Sequence, residues 1–416
     1  MHTQVDSSAA GSSIFALLGE LGRLTDEPGR LTRTFLSSGM RAANALVGDW
    51  MRDAGLRVSV DSVGNLVGRL ESPRPEARTL LMGSHLDTVP NAGRFDGALG
   101  VVLPVLVLAE LRRRGVVLPF SVEVLGFSEE EGVRFAAAHI GSEGYTGQLP
   151  SSMLELRDAD GVSVRSALKR FNDGVFLPPE AAHRREELLG YLEVHIEQGP
   201  VLEARGLAVG VVSAMVGQSR FKLTWTGNAG HAGTTPMNLR RDALAGAAEF
   251  VLATEKVAQA GGPLVATVGS LSISPGAANV VPGAAVHTLD LRHPRDTARH
   301  TAVAKLERLG QRIARGRGLE LAWESTQDND ALACDKDLTA LLSASVKAVQ
   351  GENLALVSGA GHDGQIVSRI APVAMLFVRC REGLSHHPDE YASPEDVGVA
   401  FDVTVDFLRR LASRLA

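Results

Sequence analysis

Cysteine, aromatic residues and long apolar runs are all scarce in this sequence of 416 residues. Its two cysteines, Cys334 and Cys380, are too few for a disulfide framework. Basic tracts are lacking, and the net charge of −6 argues against a dedicated nucleic-acid binder. The most apolar stretch, residues 101–111, contains Pro104 and Glu110 and is well short of the roughly 20 residues that cross a bilayer. The N-terminus has no basic segment followed by an apolar run, so the sequence predicts a cytoplasmic protein without a membrane partner.

The composition is otherwise that of a globular protein, with 44% hydrophobic and 22% charged residues. In residues 1–213 and 327–416, apolar strands such as TLLMGSH (79–85) alternate with long helices, the last expected at 394–415. That alternation is typical of an α/β fold with a mostly parallel sheet. Residues 214–326 follow the order strand–helix–strand–strand–helix–strand, which is that of a split βαβ unit. We therefore predict an α/β domain that is interrupted by an inserted α+β domain at 214–326.

Two further expectations concern where helices begin. Residues 1–12 are small and polar, and they are expected to fray. A long helix is expected from Pro236 to about residue 260. The proline would then stand in the first turn, where its fixed φ suits a helix.

The segment GSHLDTVPNAGRFDGALG carries the first candidate site residues. His85 and Asp87 stand two apart at the end of an apolar strand, so their side chains point to the same side. A metal-ligating imidazole usually donates its other N–H to a carboxylate, and Asp87 is placed to accept it. Asp96 follows in a glycine-flanked loop, where it can approach a metal or bridge two ions. The alternative is a polar loop that closes a strand, but open α/β sheets place their sites at this end of a strand.

Three acidic residues, Glu129, Glu130 and Glu131, follow the next predicted strand. Because adjacent carboxylates repel unless they are exposed or neutralised, the run indicates one of two arrangements. It is either a solvated turn or a site in which one carboxylate binds a metal and a neighbour is a general base. Such a base has a defined task, because a metal lowers the pKa of its water to roughly 7.

Histidines mark two more strand ends. His195 ends the strand in HIEQGPVLE, with Glu197 two residues later, and His386 and His387 lie between a strand and a helix. Taken singly, each fits a hydrogen-bonded core imidazole or an exposed loop. Taken together, three strand ends with His or Glu and a glycine-flanked Asp indicate a metal centre. Ligands without thiolates suit zinc, manganese or cobalt, and two such ions roughly 3.5–4 Å apart would form a dinuclear hydrolytic site.

Other polar candidates lie in the inserted segment and in a glycine-rich loop. His231 lies in GNAGHAGTTP, Asn279 in NVVPG and Arg292 in LDLRHP. Arg292 can bind a carboxylate bidentately, although an ordinary surface arginine is the alternative. The loop SGAGHDGQ, which carries His362 and Asp363, follows a strand and can line the same cleft.

In these motifs the sequence resembles the hydantoinase/carbamoylase branch of the aminoacylase–carboxypeptidase metallohydrolases. That branch includes N-carbamoyl-L-amino acid hydrolases, allantoate amidohydrolases, β-ureidopropionases of the same fold and ureidoglycolate-type enzymes. The resemblance covers the chain from about Ile14 to the C-terminus. It rests on seven segments in order: GSHLDTVPNAGRFDG, EEEGVRF, HIEQGPVLE, HAGTTPMNLRRDA, NVVPG, SGAGHD and SHHP-x-E.

The resemblance implies a dinuclear metal site and a base beside it. The implied ligands of the two ions are His85, Asp96 as the bridge, Glu131, His195 and His386. Glu130 would take the proton of the attacking water, and Asp87 would orient a ligand imidazole. One position departs from the family pattern, since His387 stands where Asn or Ser is more frequent. A second imidazole there would compete for metal or change the fit of the substrate, and we assign the ligand to His386.

The resemblance also implies how the substrate is held. The implied substrate contacts are Gln218, His231, Asn279, Arg292 and Gly361. Arg292 would hold the substrate carboxylate, and His231 would stabilise the oxyanion. His231 and Asn279 would reach the active site of a partner subunit, which implies a homodimer. The inserted domain would then serve as a lid and a dimerisation domain.

The sequence therefore predicts an enzyme that hydrolyses the carbamoyl C–N bond of a small carboxylate-bearing ureido substrate. This substrate is an N-carbamoyl-L-amino acid or allantoate, with a slight preference for the first. One alternative is aminoacylase- or peptidase-type hydrolysis of N-acyl amino acids, against which the motifs GQSR, HAGTTP and SGAGHD argue. The other is a non-catalytic ligand-binding protein that kept the fold, against which the retained ligands and Glu130 argue.

Overall fold

The computed structural model of the protein describes residues 7–260 and 262–415. Within them the chain forms two compact units, which we call the first unit (residues 7–213 and 334–415) and the second unit (residues 214–333). Helices long and apolar enough to traverse a membrane are absent from these described ranges.

Helices and strands alternate through most of the chain. The helices, in chain order, are α1 (Ser7–Leu21), α2 (Ser38–Asp53), α3 (Ala98–Arg113), α4 (Ile140–Tyr145), α5 (Val164–Phe171), α6 (Val201–Arg205), α7 (Ala243–Ala260), α8 (Asp296–Arg317), α9 (Lys336–Gln350), α10 (Asp363–Val367) and α11 (Pro394–Leu415). The strands are β1 (Arg57–Val60), β2 (Leu66–Leu70), β3 (Thr79–His85), β4 (Ser121–Phe127), β5 (Leu188–Ile196), β6 (Val209–Met215), β7 (Gly217–Thr226), β8 (Gly230–His231), β9 (Val265–Thr267), β10 (Leu271–Ser274), β11 (Val280–Val281), β12 (Ala284–His293), β13 (Glu320–Asn329), β14 (Leu332–Ala333), β15 (Ala355–Ser358) and β16 (Val373–Val378). Short 3-10 helices occur at Met153–Glu155, Arg185–Glu187, Met237–Leu239 and Arg381–Gly383.

The first unit is built on a mixed sheet rather than the mostly parallel one expected. Its strand order is β1-β2-β4-β3-β5-β16-β6, with β15 also paired to β6. The four central strands β4, β3, β5 and β16 are parallel. The pairs β1–β2, β2–β4 and β16–β6 are antiparallel. The α/β class is therefore confirmed, but the parallel arrangement holds only at the centre.

The parallel strands are buried on both faces, which is why they appear as mostly apolar runs. All seven residues of β3 and all seven of β4 are buried. Helix α3 packs against β3, β4 and β5 and is itself contacted by α1 and α11. Its Gly100 permits the close approach, since a Cβ there would lie 2.2 Å from the carbonyl oxygen of Val194.

Two helix starts differ from the sequence prediction. Residues 7–12 belong to α1, so the expectation of fraying is wrong for them; residues 1–6 lie outside the described part of the chain. Helix α1 packs against α11, and its Ile14 and Leu18 are fully buried. The helix expected from Pro236 begins only at Ala243, because Asp242 caps it by accepting the backbone N–H of Ala245 at 3.1 Å.

A buried ionic network ties β4 to its surroundings. Glu123, which is 5% exposed, accepts hydrogen bonds from Arg69 Nη1 at 2.8 Å and from the Tyr145 hydroxyl at 2.7 Å. His183 Nε2 lies 3.0 Å from the same carboxylate. Burial alone would raise the pKa of Glu123, but His183, Tyr145 and Arg69 together lower this pKa to about 2. The carboxylate therefore stabilises the fold in its ionised form.

The second unit has a separate antiparallel sheet with the strand order β10-β12-β7-β13, and β9 also pairs with β12. Alternate residues of β7 are buried, including Leu223 and Trp225, and they face α7 and α8 in a common core. This strand and helix order is that of a split βαβ unit. The second unit extends to residue 333, past the boundary expected at 326. Within it, β13 continues to Asn329, which pairs with Gln218.

Candidate active site

Four parallel strands deliver the candidate residues of the first unit to one edge of the sheet. His85 is the last residue of β3, residues 129–131 follow β4, and His195 lies one residue before the end of β5. The segment after β16 carries His386. Because the carboxyl ends of adjacent parallel strands meet at the same edge, these distant parts of the sequence converge there.

Asp96 lies at the centre of the converging side chains. Its Oδ1 lies 3.1 Å from His195 Nε2 and 4.0 Å from His85 Nε2. Its Oδ2 lies 3.2 Å from His386 Nε2, which is also 3.5 Å from Glu131 Oε1. The two oxygens of one carboxylate therefore face two different groups of nitrogen and oxygen atoms, as a residue shared by two ions must.

The approach of Asp96 to His85 depends on the glycine that follows it. Gly97 has a φ of +65°, a left-handed conformation that favours glycine. A Cβ at this position would lie 2.5 Å from two atoms of the His85 ring. Both the backbone angle of Gly97 and its proximity to the His85 imidazole therefore favour glycine at this position.

The described residues contain three groups whose potential ligand atoms lie within 4.8 Å of one another. The groups are His85–Asp96–His195, Asp96–Glu131–His386 and His85–Glu130–Glu131. The first two share Asp96, and together they contain all five residues that the resemblance implied as ligands. Their donors are imidazole nitrogens and carboxylate oxygens without thiolates, a set that fits zinc, manganese or cobalt.

The hydrogen bonds of two imidazoles favour the tautomer that a metal needs. His85 Nδ1 lies 3.1 Å from the carbonyl oxygen of Asp87 and 3.4 Å from its carboxylate. His195 Nδ1 lies 2.9 Å from the carbonyl oxygen of Ile196. A proton on each Nδ1 serves these acceptors and leaves the Nε2 lone pair free for a cation. In the absence of a cation the nearby carboxylates favour the protonated imidazole. Burial alone would lower the pKa of His85, but Asp87, Glu130 and Asp96 hold it well above its usual value.

Asp87 has a second task that its spacing from His85 did not reveal. Its Oδ1 accepts the backbone N–H of Glu130 at 3.0 Å, and its Oδ2 accepts that of Glu131 at 3.1 Å. The side chain of Asp87 is 2% exposed. A single buried carboxylate therefore contacts both the His85 imidazole and the backbone of the acidic run.

The three consecutive glutamates have different surroundings, which excludes the simple solvated turn. Glu129 is 1% exposed and closes its own loop by accepting the N–H of Gly132 at 2.5 Å. Burial raises the pKa of Glu131 to about 7 and raises that of Glu130 well above its usual value, although the charge of His85 opposes both shifts. A divalent cation among these groups would favour their ionised forms.

The side chains of the adjacent residues His386 and His387 point in different directions. His386, at a φ of +56°, turns toward Asp96, and hydrogen bonding to Asp96 raises the pKa of His386 to about 9. His387 turns away, where its Nδ1 accepts the backbone N–H of Asp389 at 3.2 Å. The geometry supports the choice of His386 as the candidate ligand and gives no sign of competition from His387.

Three polar residues that no sequence pattern indicated form hydrogen bonds with Asp96. Gln198 Nε2 donates to both oxygens of Asp96 at 3.2 Å. The hydroxyl of Ser385 donates to Asp96 Oδ2 at 3.2 Å, and Glu390 Oε1 accepts the Asp96 N–H at 3.0 Å. All three lie within the motifs quoted above, Gln198 in HIEQGPVLE and both Ser385 and Glu390 in SHHP-x-E. Loop residues without a regular spacing nevertheless give no indication of what they contact.

The SGAGHD loop lies beside the metal-ligand groups. His362 stacks edge-on against His195, with ring centroids 4.7 Å apart, and its Nε2 is 2.7 Å from the Ser358 hydroxyl. Asp363 is fully buried. Gly361 is open enough that a Cβ would meet only the tips of neighbouring side chains, the nearest at 3.4 Å.

The four candidate substrate residues of the second unit fall into two pairs. Gln218 and Arg292 are directly opposite on β7 and β12, and both donate to the carboxylate of Asp290, at 2.8 Å and 2.9 Å. His231 and Asn279 are both exposed, on the β8–β11 ribbon that continues this pairing beyond the far end of β7. The first pair is separated from Thr226, at that far end, by about 27 Å at the usual rise of a strand. The structure thus does not bring all four together within one chain.

This arrangement of parallel strand ends, imidazoles and a shared carboxylate is that of a metallohydrolase of the M20 type. The profile of peptidase family M20/M25/M40 matches residues 81–410, and the chain belongs to that family. Among curated relatives, it is 40% identical to allantoate deiminase 2 of Glycine max, over 95% of this chain and 89% of that protein. It is 39% identical to an N-carbamoyl-L-amino acid amidohydrolase of Geobacillus stearothermophilus, over 97% of this chain and 98% of the relative. A hydantoinase/carbamoylase family amidase from Burkholderia multivorans superposes with a TM-score of 0.90 at 33% identity, covering 97% of this chain and 98% of its own.

Proposed function

We propose that this protein is a metal-dependent amidohydrolase that cleaves the carbamoyl C–N bond of a small ureido substrate bearing a carboxylate. The observation that carries the proposal is Asp96, whose two oxygens face separate ligand groups while Glu130 lies beside them. The relatives named for allantoate and for N-carbamoyl-L-amino acids are almost equally similar, so both compounds are candidate substrates.

Two divalent ions, zinc, manganese or cobalt, would be held by the two groups that share Asp96. One group is His85–Asp96–His195 and the other Asp96–Glu131–His386. When bound, such ions act as Lewis acids on the carbonyl oxygen and make a water nucleophilic near neutral pH.

Glu130 is the proposed general base and acid. It would take a proton from the attacking water and deliver it to the leaving nitrogen as the C–N bond breaks. Its backbone N–H is held by Asp87, so the base and the ligand imidazole of His85 keep a fixed spacing. For an N-carbamoyl amino acid the products are the amino acid and carbamic acid, which decomposes to carbon dioxide and ammonia. For allantoate the corresponding products are ureidoglycine, carbon dioxide and ammonia.

Arg292 is the proposed anchor for the substrate carboxylate, and Gln218 and Gly361 are further proposed substrate contacts. The side chains of Gln218 and Arg292 both donate to the carboxylate of Asp290. Arg292 can bind a substrate carboxylate in addition, because a guanidinium has five N–H donors and can bind two carboxylates at once.

His231 and Asn279 are proposed to serve the active site of a partner subunit, with His231 at the oxyanion. Gln218 lies near one end of β7, whereas His231 and Asn279 lie beyond the other end of this strand. The two pairs are therefore about 27 Å or more apart within one chain, a distance that no small ureido substrate spans. A homodimer in which the second unit acts as lid and dimerisation domain would solve this separation.

The function is tested with a substrate panel in the presence of added manganese, zinc or cobalt. Ammonia release is measured from allantoate and from several N-carbamoyl-L-amino acids, and amine release from the matching N-acetyl amino acids. We expect turnover of a carbamoyl substrate only. The variant E130Q should bind metal normally and lose about 100-fold or more in kcat. Normal turnover by E130Q would refute the assigned mechanism, and preference for N-acetyl substrates would refute the assigned reaction.

The shared site is tested by mixing two inactive variants. E130Q lacks the base and H231A lacks the contact proposed to come from the partner. If subunits exchange freely, half of the dimers contain both variants and one intact site each, so activity should recover to about a quarter of the wild-type value. An H231A/E130Q double variant mixed with itself is the control, and a mixture that stays inactive despite subunit exchange would refute sharing.

A further inference from the structure

His139 places an imidazole between the proposed base and a second buried carboxylate. Its Nδ1 lies 3.4 Å from Glu130 Oε1 and 3.9 Å from Asp363 Oδ1. The side chains of His139 and Glu130 are each 13% exposed, and that of Asp363 is 0% exposed. The three groups therefore meet in a mostly dry environment, where a hydrogen bond to a carboxylate is stronger than in water.

The backbone of His139 is held in an unusual conformation at this position. It precedes α4 with a φ of +67°, which is uncommon for a residue other than glycine. Its N–H donates to the carbonyl oxygen of Glu130 at 3.2 Å, and its own carbonyl oxygen accepts the N–H of Glu143 at 2.9 Å. Such conformations persist where the surroundings enforce them, and they cluster at functional sites. Here the result is that the ring turns back over the residue to which its backbone is bonded.

Glu130 has need of a partner of this kind. In the described ranges its carboxylate accepts no hydrogen bond that would select one orientation, and only its backbone is fixed, by Asp87. The contact of 3.4 Å with His139 is long, but catalytic hydrogen bonds are often long in unliganded enzymes and shorten in the complex. The other side of the ring faces the SGAGHD loop, since a Cβ on Gly361 would lie 3.5 Å from His139 Nε2.

We infer that His139 is a positioning residue for the hydrolytic reaction. It donates a hydrogen bond from Nδ1 to Glu130 and so directs the other oxygen of that carboxylate toward the attacking water. Asp363, which lies 3.9 Å from the same Nδ1, favours a proton on this nitrogen and so supports the donor role. This inference rests on the proposed function, in which Glu130 is the base.

Two substitutions that both tolerate a positive φ test the inference. H139N retains an N–H donor the same number of bonds from the backbone as Nδ1, and asparagine is enriched in the left-handed region. H139G removes the donor and relaxes the backbone, so a loss of activity cannot come from strain. Both variants are made in the full-length chain and loaded with manganese, and kcat, KM, metal content and Tm are measured with the best carbamoyl substrate.

We expect H139G to lose about 10- to 100-fold in kcat, the size of a hydrogen bond to a charged group, with KM and metal content unchanged. H139N should keep kcat within about threefold of the wild-type value. The inference is overturned if H139G matches the wild type, if H139N falls as far as H139G, or if KM or metal content carries the loss. Failure of the proposed function is distinguished by the wild-type enzyme, which would then release no ammonia from any carbamoyl substrate.

Discussion

Replacing Asp87 by asparagine should disable the site although no proposed ligand is touched. Both carboxylate oxygens of Asp87 accept backbone N–H groups, those of Glu130 and Glu131, at 3.0 Å and 3.1 Å. One of them also lies 3.4 Å from His85 Nδ1. An asparagine has a single oxygen, so in either orientation its NH₂ group faces a backbone N–H in a site that is 2% exposed.

The expected magnitude follows from what is lost. One hydrogen bond to a charged acceptor is removed and one buried donor is left unpaired, which costs about 2–3 kcal/mol in the free energy of unfolding. The orientation of a ligand imidazole is lost as well, and changes of this kind lower metal affinity or activity about 10- to 100-fold. D87N should therefore be folded but weak in metal binding and slow in turnover.

Three measurements on D87N check this reasoning, namely urea unfolding of the metal-free protein, metal titration and kcat at saturating manganese. The matched control is D389N, because Asp389 also lies beside a histidine, His387, at 3.7 Å, but is 78% exposed. D389N should match the wild type in all three measurements. If D87N kept wild-type metal affinity and kcat, the proposed role of Asp87 in holding His85 and the acidic run would be refuted.

Three further predictions concern single positions. H386A should lose the metal ion of the Asp96–Glu131–His386 group and should lose turnover. H387A, whose ring faces away, should keep its metal content and its turnover, and metal analysis and kcat measure the difference. G97A should lose metal binding, because its Cβ would lie 2.5 Å from the ring of His85. The control G115A has a similar φ but no atom within 4 Å of its Cβ. It should lose only about 1–3 kcal/mol in the free energy of unfolding, from backbone strain. E123Q should lose about 3 kcal/mol of stability at neutral pH, since the pKa of Glu123 is lowered from 4.5 to about 2. That stability is present above pH 4.5 and is lost as the pH falls toward 2, so denaturation curves of E123Q and the wild type should converge in this range; a gap that stays constant would contradict it.

The convergence of His85, Glu131 and His195 could be predicted from the sequence because it follows from topology. Each stands at or just after the carboxyl end of an apolar strand, and parallel strands place these ends at one edge. The position of Asp96 was harder to predict, since only its flanking glycines suggested close approach. The structure supplies the reason in Gly97, whose missing side chain leaves room for an imidazole.

Antiparallel edges and supporting residues were beyond the reach of sequence patterns. β2 pairs with β4, and β6 with β16, in the antiparallel sense. An apolar run in the sequence does not show which strand will pair with it or in which direction. Gln198 and Ser385 reach Asp96 from irregular loops. His139 was missed for the same reason, since its ring reaches Glu130 only through a left-handed turn that no spacing rule anticipates.

The run of three glutamates has a different interpretation alone than together with the residues around it. Taken alone, EEE suits a solvated turn, since adjacent buried carboxylates raise one another's pKa. In the fold, burial raises the pKa of Glu129, Glu130 and Glu131, and it also raises the pKa of nearby Asp363. Such a concentration of acidic groups disfavours the folded state unless positive charge offsets it. Two divalent cations would provide that charge. The run of glutamates, which looked least suited to a protein interior, is therefore the feature that most favours a metal centre there.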